Sequence, residues 1–232
     1  MSVDRPWQPE VTFRYLLGLF VSMSLGWLVA ALVGVTPEDR FWAFLISTLS
    51  FHAAAVGLTH WFVREHGASW GGAFGFNAPG ALGAILLAML VTLGALPCAW
   101  ILGQLSAYVM SMLDWQPAVQ EAVVTLQSSV NVPEQLYMGG AAVLLVPVAE
   151  ELIFRGILYP TVKGMGWPRL AFWGTSVLFG AVHMTGMTFI PLTFLGICLA
   201  WLYERTGNLL APIFAHSFFN LVNLILLVAS QQ

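Results

Sequence analysis

Three groups of polar side chains sit inside long apolar runs, and their residue types are those of water-activating hydrolysis. The first is Glu150-Glu151-Leu-Ile-Phe-Arg155. On a helix, Glu151 and Arg155 are i, i+4 neighbours and pair. Glu150 is turned about 100° away and has no partner local in sequence. One acid is thus neutralised and the other is left for chemistry. The second group is Phe179-Gly-Ala-Val-His183, whose small residues at 180 and 181 let another helix approach closely. The third is His216-Ser-Phe-Phe-Asn220, with His and Asn on one helical face, both able to donate toward one point. Each group also has a plainer reading: a packing ion pair, a hydrogen-bonded packing histidine, and polar glue between helices.

Taken together, a free carboxylate and imidazoles inside a membrane suit hydrolysis. The carboxylate takes a proton from water, and hydrogen-bond donors stabilise the oxyanion that forms. No GxSxG elbow competes, and Ser217 does not face His216, its sequence neighbour. A zinc reading stays open, because two histidines and a glutamate form a known catalytic ligand set. The ligands would be Glu150, His183 and His216, without the H-E-x-x-H spacing that marks many zinc peptidases. His52, in the middle of the second apolar run, and His60, near its end, have no acid close in sequence and read as structural. His66, beside Glu65, reads as a solvated loop residue.

The elements that must hold these residues are membrane helices. Of 232 residues, 59% are hydrophobic and 8% charged, against roughly 25% charged in ordinary soluble chains. A net charge of -3 leaves no basic field for nucleic acid. Cys98 and Cys198 lie 100 positions apart in apolar runs and read as small buried hydrophobes rather than a redox or metal pair. Asp4, Arg5, Glu10 and Arg14 precede the first run without a cleavage pattern, so it reads as a retained span.

A crossing takes about 20 apolar residues. The uncharged stretches place spans between Arg14 and Glu38, between Arg40 and Arg64, and from about Gly80 to Gly103 in a run cut by Pro79 and Pro97. Residues 104–134, with Asp114, Pro117, Gln120 and Glu121, read as a loop with a short amphipathic helix. A fourth span covers about Tyr137 to Leu158. Residues 170–203 are too long for one crossing and read as a hairpin broken at Gly186 and Pro191, and the last span is about Leu209 to Val228.

The result is an all-α, polytopic membrane helix bundle of seven to eight spans, taken as one domain over residues 1–232. Arg5, Arg14, Arg64, Arg155, Lys163, Arg169 and Arg205 fall on one side and Arg40 on the other. The positive-inside rule then puts the N-terminus in the cytoplasm. Glu150 lies 8 residues from the presumed cytoplasmic end of its span, His216 7, Asn220 11 and His183 13. At helical rise these are roughly 12, 10, 16 and 20 Å, which leaves His183 deeper than its partners.

In order, EExxxR (Glu150, Glu151, Arg155), FxxxH (Phe179, His183) and HxxxN (His216, Asn220) in a polytopic chain resemble the CAAX protease and bacteriocin-processing family of intramembrane proteases. The turn Arg205-Thr-Gly-Asn208 adds to the likeness, which covers about residues 137–228. The resemblance implies an endopeptidase acting on a membrane-associated peptide or protein, in the cytoplasmic membrane if the source is a prokaryote. It implies that Glu150 and His183 activate water, that His216 and Asn220 form the oxyanion hole, and that Glu151 and Arg155 hold the site in shape. It favours a glutamate mechanism that needs no cofactor, with zinc as the alternative. Other members of the family confer immunity or act as scaffolds, so a non-catalytic membrane protein is the second reading.

Overall fold

The computed structural model describes residues 7–36, 38–77, 80–115, 120–129 and 131–230. Asp4, Arg5, Pro79 and Pro117 lie outside the described residues. The described residues form helices and connecting turns, as an all-α membrane bundle requires, since a backbone in hydrocarbon must satisfy its own hydrogen bonds. In chain order they are α1 (Pro9–Leu32), α2 (Arg40–Glu65), α3 (Trp70–Phe74), α4 (Ala81–Met112), α5 (Glu121–Ser128), α6 (132–164), α7 (Pro168–Ala181), α8 (Gly186–Thr206) and α9 (Leu210–Ala229). Five of these, α1, α2, α4, α8 and α9, are long and apolar enough to cross a membrane. α6 is interrupted in its hydropathy by its own charges, and α7 has 14 residues.

The outer surface is apolar. Trp27 on α1 is 75% exposed, and Leu90 and Trp100 on α4 are each 68% exposed. In water such surface would be a liability; against lipid it is the expected exterior. Cys98 belongs to that exterior and Cys198 is half-buried, both as free thiols, so neither is the buried hydrophobe expected.

Three elements differ from the sequence reading. α4 does not stop near Gly103 but runs to Met112, through Pro97. It ends where Asp114 takes a left-handed φ of 54°. A membrane helix tolerates an internal proline because neighbouring helices re-satisfy the freed backbone. The hairpin breaks at residues 182–185, with Met184 at φ 53°, and Gly186 and Pro191 both lie inside α8. α6 extends well past Leu158 to residue 164. Glu150 is therefore 14 residues before the end of α6, and His183 is 15 past the start of α7 at Pro168. Counted from those ends, Glu150 and His183 come to a similar depth.

Ionic contacts gather several helix ends. Arg14 of α1 bonds Glu65 of α2, and Lys163 of α6 bonds Glu204 of α8 at 2.6 Å. His66 is not a free loop residue: its Nε2 accepts from the Gln8 amide, its Nδ1 meets the Phe62 carbonyl, and its ring packs on Trp7. His60 accepts from the Trp70 indole at 3.1 Å, a structural role.

α6 carries the centre of the fold. Trp7 donates to the Gly156 carbonyl at 2.8 Å, Thr12 bonds Thr161, and Phe154 and Phe179 meet edge-on. α7 and α8 approach closely because glycines face across the hairpin. A Cβ on Gly180 would stand 2.7 Å from the Phe189 carbonyl oxygen, and one on Gly196 2.9 Å from that of Ser176. Of the small residues at 180 and 181, Gly180 faces Phe189 and Thr193 of α8, and Gly196 faces Ser176 of α7.

Three stretches are wound as π-helix: Thr48–Ala53 within α2, and Ala141–Leu145 and Leu152–Leu158 within α6. The last two flank Glu150 and Glu151, and the first contains His52. Such widened turns re-aim side chains and free backbone carbonyls, which is why they concentrate at functional sites.

Candidate active site

Arg155 and Glu151 form the floor. Both are 0% exposed, and Arg155 Nη1 donates to Glu151 Oε1 at 2.9 Å, one helical turn apart. Arg155 Nη2 donates to the Gly196 carbonyl at 2.9 Å, tying α6 to α8 through the contact that the glycine makes possible. The Phe179 ring lies 4.6 Å from the guanidinium carbon, a cation–π contact in a desolvated place. Two charges buried this deeply are tolerable only when paired and hydrogen-bonded.

His216, 3% exposed, is fixed onto that floor. Its Nδ1 lies 3.0 Å from Glu151 Oε1. Because that oxygen already accepts from Arg155, it is a carboxylate oxygen, and Nδ1 is the donor. In the turn that follows α7, His183 Nδ1 donates to the Phe179 carbonyl at 2.7 Å. Phe179, 0% exposed, meets both rings, at 5.2 Å from His183 and 5.5 Å from His216. It is the wedge that sets the two imidazoles, a role that the FxxxH spacing alone did not reveal.

Glu150 is 8% exposed and points away from the Glu151–Arg155 pair, as the 100° turn between adjacent residues requires. Its Oε1 lies 3.9 Å from His183 Nε2, and its Oε2 lies 3.9 Å from His216 Nε2. The structure thus brings together Glu150 of α6, His183 of the turn after α7, and His216 of α9. Asn220 Nδ2 donates to the Ala142 carbonyl at 2.8 Å, in the π-turn of α6 that precedes Glu150. One of its two amide hydrogens is therefore committed to joining α9 to α6.

One further residue comes to the site that sequence reading set aside. His52 Nε2 is 4.0 Å from Glu150 Oε1, and the His52 side chain is 17% exposed. The acid it faces is 98 positions away, so no local spacing points to it. The usable signal was depth: an ionisable residue in the middle of an uncharged span is a site candidate by itself.

Separations of 3.9–4.0 Å are too long for direct hydrogen bonds. They match two bonds of about 2.8 Å meeting at one oxygen near a right angle. Two ligand atoms of a tetrahedral zinc, each about 2.05 Å from the metal, stand only about 3.3 Å apart. The Glu150–His distances are wider than that, and among the described residues no three His, Cys, Asp or Glu side chains are grouped to hold an ion. The donor set as placed fits a water better than a zinc shell.

Residues 132–222 match the family model described as type II CAAX prenyl endopeptidase Rce1-like. Those residues contain α6, α7, α8 and the site-bearing part of α9. Similar curated proteins include the YpbD protein of Bacillus subtilis, 35% identical over 32% of this chain and 36% of its own length. Another is the YdiL protein of the same organism, whose name carries the words membrane peptidase. It is 36% identical over 32% of this chain and 30% of its own length. CAAX prenyl protease 2 of Arabidopsis thaliana is 28% identical over 53% of this chain and 43% of its own length. The chain thus spans less than half the length of these relatives. No solved structure matches the chain significantly. The Rce1-like segment includes Glu150, His183, His216 and Asn220, and it excludes α2 and His52.

Proposed function

We propose that this protein is an intramembrane endopeptidase that hydrolyses a peptide bond of a membrane-associated peptide or protein through water activated by Glu150 and His183. The observation that carries this reading is the pair of 3.9 Å gaps by which the two oxygens of Glu150 face His183 Nε2 and His216 Nε2. A water in the first gap gives one hydrogen to Glu150 Oε1. It gives the other to His183 Nε2, which bears a lone pair because Nδ1 holds the proton. Both bonds raise electron density on the attacking oxygen. As the oxygen adds to the scissile carbonyl, its proton passes to Glu150, which then delivers it to the departing amine.

The carbonyl oxygen becomes an oxyanion and needs donors. His216 supplies one from Nε2 when it carries a second proton, since its Nδ1 proton is committed to Glu151. Asn220 supplies the second with the amide hydrogen that Ala142 does not use. Glu151 and Arg155 hold His216 and the α6–α8 contact. No metal enters these steps, in keeping with the spacing of the donors. The proposed orientation has the N-terminus in the cytoplasm of a prokaryotic cell, with the seven spans α1, α2, α4, α6, α7, α8 and α9. Arg155 is buried in the site and leaves the charge count, which becomes six to one.

The test is cleavage of a labelled membrane-peptide library by purified, metal-analysed protein. The expected outcome is cleavage by the wild type without stoichiometric zinc, and a loss of about 10²- to 10⁴-fold in Glu150→Gln. His183→Ala is expected to lose a comparable share, with both variants folded. No cleavage by the wild type, together with a cellular phenotype intact in both variants, would overturn the proposal in favour of an immunity or scaffold role.

A further inference from the structure

Three imidazoles face the Glu150 carboxylate, and two of them have the far side of the ring committed. His183 Nδ1 donates to the Phe179 carbonyl, and His216 Nδ1 donates to Glu151. A neutral imidazole carries one N–H. In both rings, therefore, the neutral form turns a lone pair from Nε2 toward Glu150. Neither can donate to the site without taking a second proton.

His52 is placed differently. Its Nδ1 is buried and has no hydrogen-bond partner among the described residues, while its Nε2 stands 4.0 Å from Glu150 Oε1. If the proton were on Nδ1, a buried N–H would be left unsatisfied and a lone pair would face a carboxylate. Buried N–H groups without an acceptor are costly and rare, more so than under-used acceptors. With the proton on Nε2, the N–H is aimed at the carboxylate side of the ring and only a lone pair goes unused.

We propose that His52 is held as the Nε2–H tautomer and is the one of the three imidazoles that donates to the site in its neutral form, a positioning residue for Glu150 and its water. This role deepens the peptidase reading and rests on it; the tautomer does not. A water before attack has two hydrogens and two lone pairs. Glu150 Oε1 and His183 Nε2 take the hydrogens, and the His52 N–H takes one lone pair, leaving the other aimed at the carbonyl. Oε1 is the Glu150 oxygen that faces both His183 and His52, at 3.9 and 4.0 Å, so the three groups border one point. The π-turn of α2 is the device that brings His52 there, and it comes from outside the Rce1-like segment. By this assignment the N-terminal half is part of the active site and not only its scaffold.

The test has two arms. In the first, the protein is labelled with ¹⁵N-histidine, placed in lipid bilayers at a pH where the rings are neutral, and read by solid-state NMR. Nitrogen shifts separate N–H from lone-pair nitrogens, and each ring is assigned by its loss in His52→Gln, His183→Gln or His216→Gln. The expected result is Nε2–H for His52 and Nδ1–H for the other two; Nδ1–H at His52 overturns the proposal. In the second arm, the best-cleaved peptide of the library is used for kinetics. Gln keeps an amide donor near the place of Nε2, and Leu removes it. His52→Leu is expected to lose about 10- to 100-fold in kcat with KM within about 2-fold, and His52→Gln to recover most of that loss. Equal losses in both variants, with a lowered thermal midpoint, would mean a packing role and overturn it. If the wild type cleaves nothing, the peptidase reading fails, while the NMR arm still decides the tautomer.

Discussion

Replacing Arg155 with methionine would remove a guanidinium that makes two hydrogen bonds of 2.9 Å, one to Glu151 and one to the Gly196 carbonyl. The methionine fills much of the same volume, so the change isolates charge from packing. What remains is a carboxylate at 0% exposure whose one strong cation is gone, with only the His216 N–H still on it. Breaking a buried pair from one side costs about 3–5 kcal/mol. An unpaired charge at membrane depth costs about 2.5 kcal/mol or more on insertion scales. Neutralisation of Glu151 by a proton limits the penalty to this range. Hydrogen bonds between neutral groups in membrane proteins average only about 0.6 kcal/mol, so a loss several times larger identifies the charge as its cause. The assay is reversible unfolding in mixed micelles, run as a cycle with Glu151→Gln and the double variant. Arg155→Met is expected to lose about 3 kcal/mol or more, and the double variant less than the sum of the two single losses by more than about 1.5 kcal/mol. A loss under about 1 kcal/mol with no coupling would refute the view that this pair forms the floor of the site.

Gly196→Ala puts a methyl 2.9 Å from the Ser176 carbonyl oxygen and 3.1 Å from its Cα. Both are backbone, so α7 and α8 must part, at an expected cost of about 1–3 kcal/mol. Gly94→Ala, on α4 with nothing within 4 Å, is the control and is expected to be neutral or slightly stabilising in the same unfolding assay.

The parts of the fold that were legible in sequence are those set by charge and local spacing. Glu151 and Arg155 had to pair because they are one helical turn apart in a medium that punishes lone charges. Glu150 had to point elsewhere because it is the next residue. The lengths of the uncharged runs gave α2 and α9 to within two residues, while α1 starts and ends five to six residues before its run. What was not legible is what lipid hides. A membrane helix is apolar on its outer face as well as its inner one, so hydropathy did not tell that Cys98 faces outward or that α4 continues past Gly103. Nor does any residue announce that the turn between α7 and α8 falls at Met184, a non-glycine with positive φ, when Gly186 stands two positions on.

The candidate site shows the same division more sharply. Glu150, His183 and His216 were found because each sits in a short polar motif inside an apolar run. His52 has no such motif, and its partner is supplied by tertiary packing of a π-turn of α2 against α6. The tautomers were equally out of reach, since they depend on which backbone carbonyl or carboxylate meets each Nδ1. Those contacts change what the residues can do. A histidine described only by its position is both donor and acceptor; with Nδ1 tied to Phe179, His183 accepts, and with Nδ1 tied to Glu151, His216 donates from Nε2 only as a cation. A hydrolytic site needs acceptors for the water and donors for the oxyanion at the same time. The placement of the far-side partners of each ring, more than the presence of three histidines, is what divides those duties among them.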